Sequence, residues 1–232
     1  MEANTLDDAF QKICAAEGPL QERLASFSAA VRVHGIPFAE AYDELVARLR
    51  SEKAGSTAPR TGERMPSFLL PDKDGRLLDM RDLLGGGPAV ISFNRGHWCE
   101  YCAIETTALK QAMEQIKARG ATTVSIMPET PEFTAKVSAR VGDAFKVLSD
   151  FDNSYSRSLG LNIWLGDRVR ELYMSHGLRL DKYQGNNSWF VPIPATYVVG
   201  QDGRILARYV DPDFRNRMDV EAIIASLPPT QH

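Results

Sequence analysis

The sequence predicts an α/β protein, a central mixed sheet flanked by helices, with an N-terminal helical extension. Three observations predict it. Strand-like and helix-like stretches alternate between Pro88 and Gly142, which calls for parallel β-α-β units. Two further strand-like runs, ATYVVG and RILARYV, are joined by Gln201-Asp202-Gly203 and read as an antiparallel hairpin. Apolar residues recur at helical spacing between Thr5 and Lys53, which marks the extension.

Within that extension Leu20, Leu24, Phe27 and Val31 trace one helix and Phe38, Tyr42, Leu45 and Leu49 a second, with His34-Gly35-Ile36-Pro37 between them. Cys14 shares helical spacing with Phe10 and Ile13, which gives it a packing role. The stretch EKAGSTAPRTGER, Glu52 to Arg64, is rich in small, charged and turn-forming residues and reads as a linker. The expected division is a helical extension at 1–55, a linker at 56–64 and a redox domain at 65–232. The extension carries more apolar surface than isolated helices stabilise, so it is expected to pack on that domain or across a homodimer.

In the main domain SFLLPDKDGRLLDM predicts a hairpin closed by Lys73-Asp74-Gly75, and PAVISFN, Pro88 to Asn94, a buried strand. AIETTALKQAMEQIKARG predicts a helix stopping at Gly120, ATTVSIMP a strand, and TPEFTAKVSARVG a helix ending at Gly142. After a long insertion from about Leu161 to Trp189 come the hairpin and a last helix, about Asp219 to Leu227. The resulting order is β-α-β-α-β-β-α.

Composition narrows the function. With 44% hydrophobic and 25% charged residues and a net charge of -3, nothing favours nucleic acid or an anionic membrane as partner. No apolar run approaches the ~20 residues of a membrane span, and MEANTLDDAF lacks the basic and apolar regions of a secretory signal, so a cytoplasmic location is expected. Gly85-Gly86-Gly87 leads into a strand and not into a Lys-Ser helix start, so it reads as a turn; no cofactor is expected. Three cysteines make no disulfide framework, and in a reducing compartment a close pair points to redox or metal chemistry.

Cys99 and Cys102 are that pair. Cysteines at i and i+3 on a first helical turn share a face with Cβ atoms about 5–6 Å apart, close enough for a disulfide after a small adjustment. A helix N-terminus offers free N–H groups and a partial positive charge, so the thiol nearest to it, Cys99, is expected to be the low-pKa nucleophile and Cys102 the more shielded thiol. A zinc site needs about four ligands. Beyond the pair only Cys14, His34, His97, His176 and His232 remain as donors, with no second paired motif, so redox chemistry is favoured over metal binding or an inert core pair. Arg95 and His97 are candidates to charge-stabilise the thiolate and polarise a leaving group. Trp98 and Tyr101 are candidates for an apolar shoulder. Glu105, one turn beyond Cys102, reads as a proton acceptor for that thiol, as a partner of Arg95, or as a solvated carboxylate.

FNRGHWCEYC, together with PETPE, VLSD near Asp150, VPIPATYVV around Pro194 and VDPDF near Asp211, resembles the peroxiredoxin-like branch of the AhpC/TSA (thioredoxin-like) superfamily. The resemblance runs from about Met65 to Leu227. It implies a thioredoxin-like fold, a cis-proline at Pro194 packed against the thiols, and hydrogen peroxide or a small organic hydroperoxide as substrate. Two positions depart from the peroxiredoxin pattern: Gly96 stands where a hydroxyl residue is usual, and Pro194 where a downstream arginine aligns. Three readings stay open. In the first, Cys99 attacks a peroxide, becomes a sulfenic acid and condenses with Cys102, and thioredoxin or a glutaredoxin system restores the dithiol. In the second the pair exchanges with disulfides and no peroxide is involved. In the third it is a non-enzymatic redox sensor or binding module.

Overall fold

The computed structural model describes residues 5–229; the first four residues and the last three, His232 among them, lie outside the described residues. The chain opens with three helices, α1 (Leu6–Ala15), α2 (Leu20–His34) and α3 (Ile36–Ser51). Sequence periodicity separates the last two at Gly35; the extra break, before Leu20, falls at Gly18, whose φ is +115°, and Pro19. Thr5 caps α1 by accepting from Asp8 N–H at 3.1 Å, as an N-terminal threonine does well.

A hairpin, β1 (Leu69–Pro71) and β2 (Leu77–Asp79), leads through α4 (Met80–Gly85) into β3 (Ala89–Phe93), buried at every position as a strand covered on both faces must be. Then come α5 (Glu100–Gln111), α6 (Met113–Lys117), β4 (Thr122–Met127), α7 (Pro131–Val141) and β5 (Lys146–Ser149). The expected single helix up to Gly120 is thus broken at Ala112. Next comes α8 (Ser154–Ser158); the insertion then supplies β6 (Asn162–Trp164), α9 (Asp167–Ser175) and α10 (Leu180–Gln184) and leads into β7 (Phe190–Pro192), with β6 and β7 paired antiparallel. The chain finishes with β8 (Ala195–Val199), β9 (Ile205–Val210) and α11 (Val220–Ser226).

The main sheet has the order β5-β4-β3-β8-β9. Strands β3, β4 and β5 run parallel, while β8 is antiparallel to β3 and β9 to β8. Sequence periodicity did not reveal β5, because KVLS is too short for its alternation to stand out.

Helix α5 is buried from Tyr101 through Thr106. A helix buried over successive residues needs neighbours on several sides, and the extension supplies one of them. Phe27 of α2, 1% exposed, meets Tyr101 edge-on at 5.0 Å, and burying such a ring contributes about 2–3 kcal/mol. Arg23 ties the layers together, donating to the Ile13 and Cys14 carbonyls at 3.2 and 2.7 Å and to Gln111 Oε1 at 2.9 Å. Cys14 Sγ lies 3.3 Å from Thr107 Oγ1 on α5.

The segment read as a linker is laid along β9. Gly62 N–H donates to Ile205 O at 2.8 Å, Ile205 N–H to Glu63 O at 2.9 Å, and Arg208 Nη1 to the Ala58 and Pro59 carbonyls at 2.6 and 2.8 Å. Composition marked the stretch as turn-rich, but its backbone groups find partners on the sheet edge. Among the described residues no helix is long and apolar enough to cross a membrane.

Candidate active site

The site grows from the end of β3. Asn94 N–H donates to Ile126 O at 2.9 Å, and its amide nitrogen donates to the Ser92 and Ser125 hydroxyls at 2.9 and 3.0 Å, which fixes where the strand ends. The chain then turns at Gly96, with φ +144°. A Cβ there would stand 2.5 Å from Trp98 Nε1 and 2.7 Å from Glu129 Oε1, so the position takes only glycine. Cys99 N–H closes the turn on Gly96 O at 3.2 Å, and Cys99 becomes the N-cap of α5, its sulfur accepting from Cys102 N–H at 3.3 Å. The sulfur therefore sits at the positive end of the helix dipole.

The two sulfurs are 2.6 Å apart. Arg95 Nη2 donates to Cys99 Sγ at 3.3 Å, Arg95 backbone N–H to Cys102 Sγ at 3.4 Å, and Arg217 Nη2 to Cys102 Sγ at 3.6 Å. Burial alone pushes the Cys99 thiol up, but the hydrogen bond from Cys102 and the charges of Arg95 and Arg217 bring it down from 9.0 to about 6. Cys102 moves the other way, well above the ordinary thiol value. Burial raises it first, its bond to Cys99 and the charge there raise it further, and the two arginines offset only part. The pair thus holds one thiolate, at Cys99, and one thiol. The expected difference in shielding is corrected: Cys99 is 1% and Cys102 2% exposed, because α2, α3 and α9 close over the helix start.

Arg95 is buried, its guanidinium 3.6 Å from the Phe214 ring centroid and 5.1 Å from that of Trp98. Among the described residues its Nε and Nη1 have no hydrogen-bond partner. Glu105 is neither solvated nor paired with Arg95, which corrects two of its expected roles. It accepts from Arg217 Nε at 2.7 Å, Ser92 Oγ at 3.0 Å and Thr196 Oγ1 at 3.4 Å. Arg217 reaches it from the loop after β9, whereas the Arg95 side chain is drawn to Cys99. Sequence reasoning did not find Arg217 or Phe214 as site residues; the signal was the VDPDF segment, three residues before Arg217.

His97 is held away from the sulfurs. Its Nδ1 lies 2.7 Å from Oε1 of buried Glu129 and its N–H donates to Oε2 at 2.8 Å. Its ring stacks on Phe133 at 5.3 Å and meets Tyr183 edge-on at 4.7 Å. Trp98 packs against Tyr173 at 5.2 Å and Tyr101 against Phe214 at 5.6 Å. Pro194 enters β8 one step beyond the Phe93–Ala195 pair, beside the site, but no peptide bond among the described residues is cis. The expected cis-proline is corrected to trans. An X–Pro bond favours trans by about 0.5–1 kcal/mol, and no tight turn separates β7 from β8.

Above Trp98, Tyr42 of α3 and Tyr173 of α9 join hydroxyls at 3.1 Å. A cavity of about 60 Å³, lined in part by Phe27, Tyr42, Trp98 and Tyr101, adjoins the residues flanking Cys99. A larger one, about 670 Å³, opens near Thr122 and Lys146 at the opposite end of the sheet and touches neither thiol. Among the described residues no group of three or more His, Cys, Asp or Glu is arranged to hold a metal.

A CxxC pair capping the helix that follows the central strand defines a thioredoxin-like site. The chain belongs to the AhpC/TSA family, whose sequence pattern matches residues 61–208. It is similar to peroxiredoxin Bcp of Escherichia coli (strain K12), 24% identical over 102 residues, which are 44% of this chain and 65% of that protein; the chain therefore spans just under two thirds of that relative's length. It is also similar to the thiol-disulfide oxidoreductase ResA of Bacillus subtilis (strain 168), 24% identical over 153 residues, 66% of this chain and 69% of that one. Its fold matches the crystal structure of peroxidoxin BcpB from Mycobacterium tuberculosis with TM-score 0.54 and 19% identity, covering 72% of this chain and 96% of that one.

Proposed function

We propose that this chain is a thiol-dependent peroxidase acting through a Cys99–Cys102 dithiol-disulfide cycle on hydrogen peroxide or a small organic hydroperoxide. The observation that carries the reading is the Cys99 sulfur at a helix start, 1% exposed and 3.3 Å from the Arg95 guanidinium. In the proposed cycle the Cys99 thiolate attacks the distal peroxide oxygen, the O–O bond breaks, and the departing alkoxide or hydroxide takes a proton. Arg95, the only cation hydrogen-bonded to Cys99 Sγ among the described residues, stabilises the charge as it moves onto oxygen. The Cys102 sulfur then displaces hydroxide from the sulfenic acid, forming the disulfide and water. Thioredoxin or a glutaredoxin-type protein in the cytoplasm returns the pair to the dithiol by exchange.

The similarity to ResA favours a second reading, disulfide exchange without a peroxide step. Stopped-flow oxidation of the reduced chain by hydrogen peroxide and by a model disulfide separates the two. Faster oxidation by peroxide at equal concentration supports the peroxidase, and faster oxidation by the disulfide overturns it in favour of the second reading.

A further inference from the structure

His97 is held away from the sulfurs, yet its ring is fixed with care. The Glu129 carboxylate, fully buried, accepts from His97 Nδ1–H at 2.7 Å and from its backbone N–H at 2.8 Å, and Ser149 Oγ donates to the Glu129 carbonyl. An ionised carboxylate only accepts hydrogen bonds, so it places the proton of a neutral imidazole on Nδ1 and leaves the Nε2 lone pair open. That lone pair faces an amine: Lys136 Nζ of α7 lies 3.5 Å from Nε2. Elsewhere Lys73 meets the Asp74 carboxylate at 2.8 Å and Lys110 the Arg140 carbonyl at 2.9 Å, partners that hold an ammonium as it is. Lys136 alone among the described lysines is hydrogen-bonded to an imidazole, a group able to carry its proton away. Lys136 is exposed and the His97 side chain is 14% exposed, so a small electrophile reaches Nζ from solvent, with the Phe133 ring 4.8 Å from that nitrogen as an apolar rest. Arg140, one turn further along α7, comes to the same place, its Nη2 donating to the His97 carbonyl at 3.5 Å. A guanidinium there suits a phosphate, which it binds through paired N–H groups.

We infer that Lys136 is a nucleophilic lysine that takes the acyl group of a small acyl phosphate, with His97 as its base and Arg140 beside the leaving phosphate. The step balances. The Lys136 ammonium passes one proton to His97 Nε2, and the free amine attacks the acyl carbon. The C–N bond forms, the C–O bond to phosphate breaks, and its electron pair leaves on the phosphate oxygen. The second amine proton goes to that phosphate, and His97 returns the first to water. Nothing is oxidised or reduced. Glu129 is a positioning residue, since it holds the ring and touches neither reactant. The amide that results is neutral, so acylation removes a cation beside His97, in the segment that leads into Cys99. Neither thiol takes part, and the inference stands apart from the Cys99–Cys102 cycle.

The full chain is incubated with acetyl phosphate, and acetylation of each lysine is followed over time by proteolysis and mass spectrometry. The other seven lysines serve as internal references. Lys136 is expected to react about tenfold or more faster than their mean, a modest part of what a placed general base supplies. His97→Gln should bring Lys136 down to that mean and leave the other lysines unchanged. Arg140→Gln should slow Lys136 by about tenfold with acetyl phosphate but leave its reaction with p-nitrophenyl acetate unchanged, because that neutral ester releases no phosphate. A purely structural role for Arg140 does not separate the two donors. A Lys136 rate equal to that of the other lysines overturns the inference, and so does an unchanged Lys136 rate in His97→Gln. Equal slowing of both donors by Arg140→Gln overturns the acyl phosphate as the donor. Should His97→Gln not fold, the wild-type ranking and Arg140→Gln still decide. No peroxide is present in these measurements, so either outcome leaves the proposed function standing.

Discussion

At the scale of single residues, the two cysteines are chemically similar and only their surroundings separate them. Cys99 receives a helix N–H, a thiol hydrogen bond and a guanidinium; Cys102 lies one turn in, keeps its proton and donates the hydrogen bond to Cys99. The thiolate absorbance of the dithiol form is expected to rise with a midpoint near pH 6, the value to which Cys99 is lowered, and the rate of its oxidation should follow the same curve. Because the folded value lies below the ordinary thiol value of 9.0, Cys99 adds stability to the dithiol form that is complete above pH 9 and lost as pH falls through 6. Denaturant titrations of wild type and Cys99→Ser at pH 5, 7 and 9 check the sign, since a gap that widens toward acid pH contradicts it. Replacing Arg95 by Met should raise the midpoint by roughly 1–3 pH units and slow oxidation by about 10²-fold. Cys99→Ser should abolish oxidation. Cys102→Ser should consume one equivalent of peroxide and stop as a sulfenic acid, which a sulfenate-specific label located by mass spectrometry detects.

At the scale of elements, the turn from β3 into α5 aims the sulfurs, and Gly96 is its tightest point. Gly96→Ala should cost about 1–3 kcal/mol, because its Cβ would meet Trp98 and Glu129 at a backbone angle that side chains avoid; thermal melts alongside peroxide rates measure both consequences, and an unchanged melt removes the claim. This turn shows what sequence makes legible. FNRGHWCEYC announces a buried strand, a break and a helix start within ten residues, so β3, α5 and the assignment of Cys99 as the helix-capping thiol follow from local chemistry. Residues whose role depends on distant packing were hidden. Arg217 lies 115 positions from Cys102, and no local spacing signals that its guanidinium returns to Glu105. Tyr173 lies in the insertion, whose pattern gives no hint that α9 closes over Trp98. The trans bond at Pro194 shows the reverse limit, a family expectation that the path between β7 and β8 does not require.

At the scale of the whole molecule, the three N-terminal helices and the insertion turn an accessible thiol pair into a covered one. Phe27 is the centre of that cover, in edge contact with Phe10 at 5.8 Å and with Tyr101 at 5.0 Å. Phe27→Ala should destabilise the chain by about 3 kcal/mol. It should also accelerate native-state alkylation of Cys99 at pH 7 by about 10²-fold, the factor such a loss gives a local opening equilibrium. An unchanged alkylation rate would mean that reagents reach Cys99 by another route. Parting that cover leaves the sheet itself protected. A five-stranded sheet ends in two unpaired strands, each a template on which another chain can add and polymerise. Here Arg64 bridges to Arg204 beside β9, and Asp72 bridges to Leu148 of β5, so each margin is met at a bridge by a segment that lies outside the three helices. Arg208 grips the carbonyls of Ala58 and Pro59 and anchors the first of these segments independently of α1–α3. Opening the cover over the thiols therefore leaves both of these edge contacts in place.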